Sequence, residues 1–257
     1  MSARNGMPVL WHIEISHYNE KARWALGYKG VAHRRRAPLP GSHMLVAYAL
    51  TREITFPILQ IDGRAIGDST AIIAELERRY PDPPLYPADP AERERALALE
   101  DWFDEELGPH FRRAVFDDLL EDPESVQEML PRATPPAVRR FSAATWPAVK
   151  RLIDARYGVS PEGTEEGWRK THAALDRIEA ERAGRDYLVG DSFSVADLTA
   201  AALAAPLIQP PGFPYPVRTL PPSLQAVRAE LLAHPAADWM VEVYRRHRPA
   251  EAPRAAV

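Results

Sequence analysis

Residues 55–81 read TFPILQIDGRAIGDSTAIIAELERRYP, and this stretch decides the fold. Two apolar runs meet at Asp62-Gly63, a pair that favours the positive backbone angles of a two-residue hairpin turn, so an antiparallel hairpin is expected. Asp68, Ser69 and Thr70 then supply helix-capping side chains. Ile72, Ile73, Leu76 and Tyr80 follow on one helical stripe, and Pro81 stops the helix.

Upstream, residues 8–15 are rich in branched and aromatic side chains and read as a buried strand. Residues 17–28 read as a helix with Ala22, Ala25 and Leu26 turned inward. A poorer strand is expected over residues 32–39, followed by a linking segment up to the hairpin. The order is strand, helix, strand, linker, hairpin, helix. Two strands joined through a helix pair in parallel with a right-handed crossover, whereas the hairpin is antiparallel, so the expected sheet is small and mixed.

Downstream, PDPPLYPADPAE (residues 81–92) reads as a proline-rich linker. Strand patterns then vanish. Residues 93–120, 138–157, 165–183, 195–205, 223–234 and 236–246 read as helices, several of them bounded by proline or glycine. The proline-rich stretch around residues 205–223 excludes regular structure and reads as a rigid wall or surface crossing. The expected units are a sheet domain over residues 1–81, a linker over 82–92, a helical domain over 93–250 and a tail over 251–257.

Composition narrows the chemistry. The chain has 257 residues and a near-balanced net charge of −4 with both signs mixed, so no nucleic-acid partner is expected. Neither a secretory signal nor an apolar run long enough to span a bilayer is found, so the cytoplasm is expected and no membrane partner. There is no cysteine, which removes disulfides, thiol nucleophiles and thiolate metal sites together. The eight histidines are scattered without ligand spacing, and no metal is expected. Any sulfur chemistry must use a thiol brought in from outside.

Four segments carry a resemblance. SHYNEKARWAL (16–26), TFPIL (55–59), DST (68–70) and GDSFSVADLTAAAL (190–203) stand in order within the two-part layout. Together they resemble the cytosolic glutathione transferase family, serine-type, over nearly the whole chain. The fold this implies is an N-terminal thioredoxin-like mixed-sheet domain followed by an all-helical glutathione-transferase C-terminal domain. The implied activity is a glutathione transferase, a detoxification enzyme acting in the cytoplasm as a homodimer. It would use glutathione as co-substrate, without a metal, against small hydrophobic electrophiles. A related thiol-dependent isomerase, dehalogenase or ether-cleaving enzyme is an alternative, as is a non-enzymatic interaction or stress module on the same scaffold.

The resemblance assigns roles residue by residue. Ser16 stands at the catalytic position. Thr55, Phe56 and Pro57 stand in the loop that carries a cis-proline, where Phe56 main-chain groups would pair with the cysteinyl part of glutathione. Ser69 and nearby helix N–H groups suit the γ-glutamyl carboxylate, and Asp68 suits its ammonium. Ser194 and Asp197 are expected to form a structural capping box. Asp68 and Thr55 depart from the more frequent family residues, so another small thiol is an alternative partner. His17 and Tyr18 read as packing or surface residues, with a role assisting Ser16 as the alternative, and His12 occupies the place of the tyrosine used by other members.

Energetics say what Ser16 would do. A free thiol has a pKa of about 8.5, and lowering it by two units takes about 2.7 kcal/mol. A helix N-terminus contributes about 0.3–1 kcal/mol, and one hydrogen bond to a charged acceptor about 1.5–3 kcal/mol. The hydroxyl closes the gap the dipole leaves, so Ser16 is expected to stabilise a bound thiolate and not to act as a nucleophile. The electrophile pocket is expected between the domains, near Phe103, His110, Phe111 and Phe116. Residues 120–161 are longer than a compact family member needs.

Overall fold

Leu10, Leu59 and Ile66 lie side by side across one four-stranded sheet. Its strands are β1 (Val9–Trp11), β2 (Arg34–Arg36), β3 (Ile58–Ile61) and β4 (Arg64–Gly67), in the order β2-β1-β3-β4. β1 and β2 are parallel, and both other pairings are antiparallel. The β3–β4 turn has Asp62 at φ 50 and Gly63 at φ 77, as the Asp-Gly pair predicts for a tight hairpin. The computed structural model describes residues 6–39, 42–131 and 134–250; the expected tail over 251–257 lies outside the described residues.

Helices cover both faces of the sheet. α1 (His17–Tyr28) and α3 (Ser69–Arg79) pack together on one face, joining Leu10, Leu59 and Ile61 to Ala22, Ala25, Leu26, Ile72, Ile73 and Leu76. Tyr80 leaves the expected stripe and is 37% exposed, because the chain becomes extended at this residue, ahead of Pro81. On the other face, α2 (Ser42–Thr51) brings Ala47 against Phe56 and Ile58. The sequence reading treated this segment as a linker: SHMLVAYALT is apolar nearly all round, so it lacks the period that betrays a surface helix. The strand expected over 8–15 ends at Trp11, for a reason given below.

The rest of the described chain is helical: α4 (Pro90–Trp102), a π-helical segment (Phe103–Leu107), α5 (Gly108–Leu119), α6 (Pro123–Glu128), α7 (Pro136–Tyr157), α8 (Pro161–Arg182), α9 (Val195–Ile208), α10 (Pro222–Leu232) and α11 (Pro235–His247). The helix expected over 93–120 is thus one run with a π-helical centre. Gly167 lets α8 close on α5, since a Cβ there would lie 2.6 Å from the His110 carbonyl oxygen. α9 is buried almost throughout and lies against α1. Ser194 and Asp197 form the expected capping box, and the Asp197 carboxylate also accepts the Leu188 N–H at 2.8 Å. One apolar cluster runs from the sheet through α1 and α3 into α4, α5, α9 and α11, so the two parts share a core. Among the described residues, no helix is long and apolar enough to cross a membrane.

Candidate active site

The loop between β1 and α1 carries Ser16, and Arg23 from within α1 holds it. The buried Arg23 guanidinium donates to the carbonyls of Ile13 at 3.2 Å, Glu14 at 3.0 Å and Ser16 at 3.4 Å, and to His12 Nδ1 at 2.9 Å. These carbonyls turn toward a cation instead of a neighbouring strand, which is why β1 stops at Trp11. Arg23 is itself fixed by Glu20 at 2.7 Å, and the other Glu20 oxygen accepts from Tyr244 at 2.8 Å and Arg248 at 2.7 Å. Burial alone pushes the Glu20 carboxyl up, but Arg23 and Arg248 outweigh it and hold the group below the ordinary carboxylate range.

Ser16 stands at the N-cap of α1, and its carbonyl accepts the Glu20 N–H at 2.9 Å. Its hydroxyl does not cap the helix. Instead Ser16 Oγ accepts a hydrogen bond from Asn19 Nδ2 at 2.7 Å. The amide orientation follows from its other contact: the Ile13 N–H can only donate, so the Asn19 atom 3.2 Å from it is the carbonyl oxygen, and Nδ2 faces Ser16. Ser16 Oγ thus accepts from Asn19 and donates to no described residue. Asn19 is fully buried and Nδ2 also reaches the Phe56 carbonyl at 3.4 Å, tying the serine loop to the proline turn. Sequence reading missed Asn19, whose place one turn into α1 was the available signal.

The remaining expected residues fall around this link. Phe56–Pro57 is cis, both residues are buried, and Thr55 beside them is exposed. Asp68, exposed and at φ 70, caps α3 through Oδ1, which accepts from Thr70 N at 2.8 Å and Ala71 N at 3.1 Å. Those two amides are therefore already used, leaving the Ser69 N–H and the Ser69 hydroxyl at this helix start. Ser69 itself is 2% exposed. Asp68 Oδ2 makes no hydrogen bond to a described residue.

A buried ionic network fastens the second helix start to the first. Lys21 Nζ lies 2.8 Å from Glu100, 2.5 Å from Asp104 and 2.9 Å from Thr70 Oγ1. Burial pushes both the Glu100 and Asp104 carboxyls up, while Lys21 pulls them down. Asp104 belongs to the π-helical segment and lies within electrostatic reach of Asp68; such segments recur at functional sites. Lys21, Glu100 and Asp104 carried no sequence signal, since their meeting depends on contacts spanning about eighty residues.

The neighbours of Ser16 serve packing. His17 is buried, with its ring 4.4 Å from that of Tyr18 and edge-on to Phe111, and burial drives its pKa well below the usual imidazole value. It is a neutral ring at pH 7. Tyr18 donates its hydroxyl to the Asp104 carbonyl at 2.6 Å, and burial raises its pKa. Gly108 makes room for it, since a Cβ there would collide with the Tyr18 hydroxyl. Of the aromatics expected at the pocket, Phe103 and Phe111 belong to the core at 0% and 2% exposure, while His110 and Phe116 are part-buried.

The geometry defines a class: a thioredoxin-like sheet domain with a serine at the N-cap of its first helix and a cis-proline turn tied to that helix through Asn19, packed on a helical domain. Residues 10–84 match the family model for the glutathione S-transferase N-terminal domain, and residues 161–246 that for the C-terminal domain. The chain belongs to the glutathione S-transferase family. Residues 85–160 lie outside both matches, and this span includes α6 and α7. Protein LigF of Sphingobium sp. strain SYK-6 is 29% identical over 201 residues, covering 74% of each chain. A probable maleylacetoacetate isomerase of Caenorhabditis elegans is 34% identical over 99 residues, 37% of this chain and 45% of that one. Among solved structures, beta-etherase LigF aligns with a TM-score of 0.61 at 23% identity, covering 92% of this chain and 99% of that one. A theta class glutathione S-transferase from Xanthomonas axonopodis pv. citri, with glutathione bound, aligns with a TM-score of 0.56 at 23% identity, covering 91% and 97%. These likenesses show the fold.

Proposed function

We propose that this protein binds glutathione and holds its sulfur as a thiolate at Ser16 for attack on an electrophilic carbon. The observation that carries this reading is the Ser16 hydroxyl, which makes no helix-capping bond, accepts from Asn19 and donates to no described residue. A serine kept for capping would accept a backbone N–H of its own helix, not a side-chain amide. In this reading Ser16 is the catalytic residue and acts by hydrogen bonding, with the α1 N-terminus adding a smaller favourable field.

The rest of the tripeptide follows the same surface. Phe56 main-chain groups beside Pro57 pair with the cysteinyl part, and exposed Thr55 lines the rim. The Ser69 N–H and hydroxyl take the γ-glutamyl carboxylate, and Asp68, with Asp104 nearby, attracts the ammonium. Family membership supports two further proposals, action as a homodimer and residence in the cytoplasm.

The similarity to LigF supports a more specific reaction, cleavage of an aryl ether. The thiolate forms a bond to the carbon bearing the aryloxy group, the carbon–oxygen bond breaks, and the aryloxide leaves with the pair and takes a proton from solvent. Simple conjugation differs only in the leaving group.

Thermal unfolding in the presence of glutathione tests the binding step. A ligand at 100 times its dissociation constant stabilises the fold by about 2.7 kcal/mol. A chromogenic conjugation assay and a phenol-release assay on an aryl ether then separate the two reactions. Absence of any shift with glutathione or another small cellular thiol would refute the reading.

A further inference from the structure

Several arginines in this fold are ion-paired: Arg23 with Glu20, Arg79 with Glu75, and both Arg95 and Arg177 with Glu181. A cluster of three gathers without such a pair. Arg112 and Arg113 on α5 and Arg156 near the end of α7 gather round Tyr157. The Arg112 guanidinium carbon lies 4.3 Å from the Tyr157 ring centroid and that of Arg156 5.5 Å, while Arg113 Nε donates to the Tyr157 carbonyl at 3.0 Å. Among the described residues none of the three has a carboxylate within ion-pair distance, and Arg112 Nε is buried with no hydrogen-bond partner.

The place of the cluster gives it meaning. Arg112 follows Phe111, whose ring meets His17 edge-on at 6.3 Å, and its charge is felt by both His17 and Tyr18, the residues next after Ser16. Arg112 therefore stands at the mouth of α1 on the helical-domain side. The tyrosine face attracts a cation but cannot accept the Arg112 Nε–H. Gathering positive charge on a part-buried guanidinium without a carboxylate is unfavourable unless something negative joins it. A planar guanidinium is matched by a planar carboxylate, which takes two parallel hydrogen bonds. Such a carboxylate could sit on the electrophile or on the thiol peptide. The peptide is expected along Phe56 and the start of α3, whereas this cluster is built by α5 and α7, both of which lie outside the two family matches.

We propose that Arg112, backed by Arg113 and Arg156, recognises a carboxylate on the electrophile, so that the substrates of this protein are anionic. The inference rests on the thiol-activation reading above and adds a substrate class to it. Arg112 is a recognition residue and takes no part in bond making.

The test compares 4-(bromomethyl)benzoate with 4-(bromomethyl)benzamide, each reacted with glutathione. In both, the sulfur–carbon bond forms, the carbon–bromine bond breaks, bromide leaves with the electron pair, and the thiol proton goes to buffer. The wild-type protein is expected to favour the acid at least tenfold in kcat/KM. Arg112→Met is expected to abolish that preference by lowering the acid rate, and Arg112→Lys to restore part of it. Arg156→Met, at an exposed position and safe for folding, is expected to lower the acid rate two- to fivefold.

A wild-type ratio near one, or a ratio unmoved by both Arg112→Met and Arg156→Met, overturns the proposal. A rise in KM for glutathione that is equal with both probes also overturns it, because the carboxylate is then that of the thiol peptide. Binding of 4-ethylbenzoate against 4-ethylbenzamide, followed by ligand-observed NMR, needs no turnover. Selective benzoate binding that Arg112→Met removes, with neither bromide turned over, keeps the anion site and refutes thiol transfer instead.

Discussion

Replacing Ser16 by alanine removes one hydroxyl, and the structure says what that hydroxyl is worth. Asn19 Nδ2 occupies an acceptor site on Ser16 Oγ at 2.7 Å, so the single O–H is the group left to meet a sulfur anion. A hydrogen bond to a charged acceptor contributes about 1.5–3 kcal/mol, equivalent to a rise of about 1–2 units in the pKa of the bound thiol when it is lost. A thiol of pKa about 6.5 is about three-quarters ionised at pH 7, and one of about 8.5 only about 3%. Ser16→Ala is thus expected to lower the rate at pH 7 by about 3- to 25-fold while glutathione binds nearly as before. The assay is ultraviolet titration of the thiolate in the protein–glutathione complex, alongside a pH–rate profile. The ascending limb should move up by about 1–2 units, and the rates should converge at high pH where both thiols are ionised. Asn19→Asp sharpens the test. A carboxylate at that position accepts the Ser16 O–H and repels the sulfur anion, so it should be more damaging than Asn19→Ala. An unmoved thiolate titration in Ser16→Ala, or an Asn19→Asp variant milder than Asn19→Ala, would refute the assigned hydrogen-bond direction.

Other consequences concern the frame of the site. Lys21→Met leaves Glu100 and Asp104 buried together without their cation and is expected to cost about 3–5 kcal/mol in urea unfolding; adding Glu100→Gln should recover part, and no recovery would mean the pair is not coupled through Lys21. Asp68 has φ 70, so glycine relieves the backbone while alanine loses the cap and keeps the strain. Asp68→Gly should therefore be more stable than Asp68→Ala by about 1–3 kcal/mol in the same assay. Glu20 has its carboxyl held below the ordinary range by Arg23 and Arg248 against the effect of burial. A depressed acid stabilises the fold above its unfolded-state pKa and loses that contribution as pH falls through the folded-state value. Glu20→Gln should accordingly be less stable at neutral pH and show a flatter acid limb in unfolding midpoints measured downward from pH 7; an unchanged acid limb would place the titration elsewhere.

Much of the layout was legible before any coordinates. The boundaries of the helix from His17 to Tyr28, the Asp62-Gly63 turn, the cap at Asp68 and the box of Ser194 with Asp197 all follow from local rules, because each is formed by residues within a few positions of one another. α2 escaped the same rules. Its residues are apolar on nearly every side, and only the sheet face beneath it, through Phe56 and Ile58, selects which of them is buried.

The sequence by itself determined the elements, their order and the position of the serine at a helix mouth, since backbone propensity and hydrophobic period are local properties. Only the tertiary structure decided which bonds that serine makes. Whether its hydroxyl caps a helix or accepts from a side chain depends on an amide one turn away, on Arg23 gathering the loop carbonyls, and on the closing of α1 against the turn at Phe56. The same holds for Lys21 between its acids and for Arg112 without one: charge in a fold is balanced or left unbalanced by partners brought together across long stretches of chain, and no local pattern records which partner arrives.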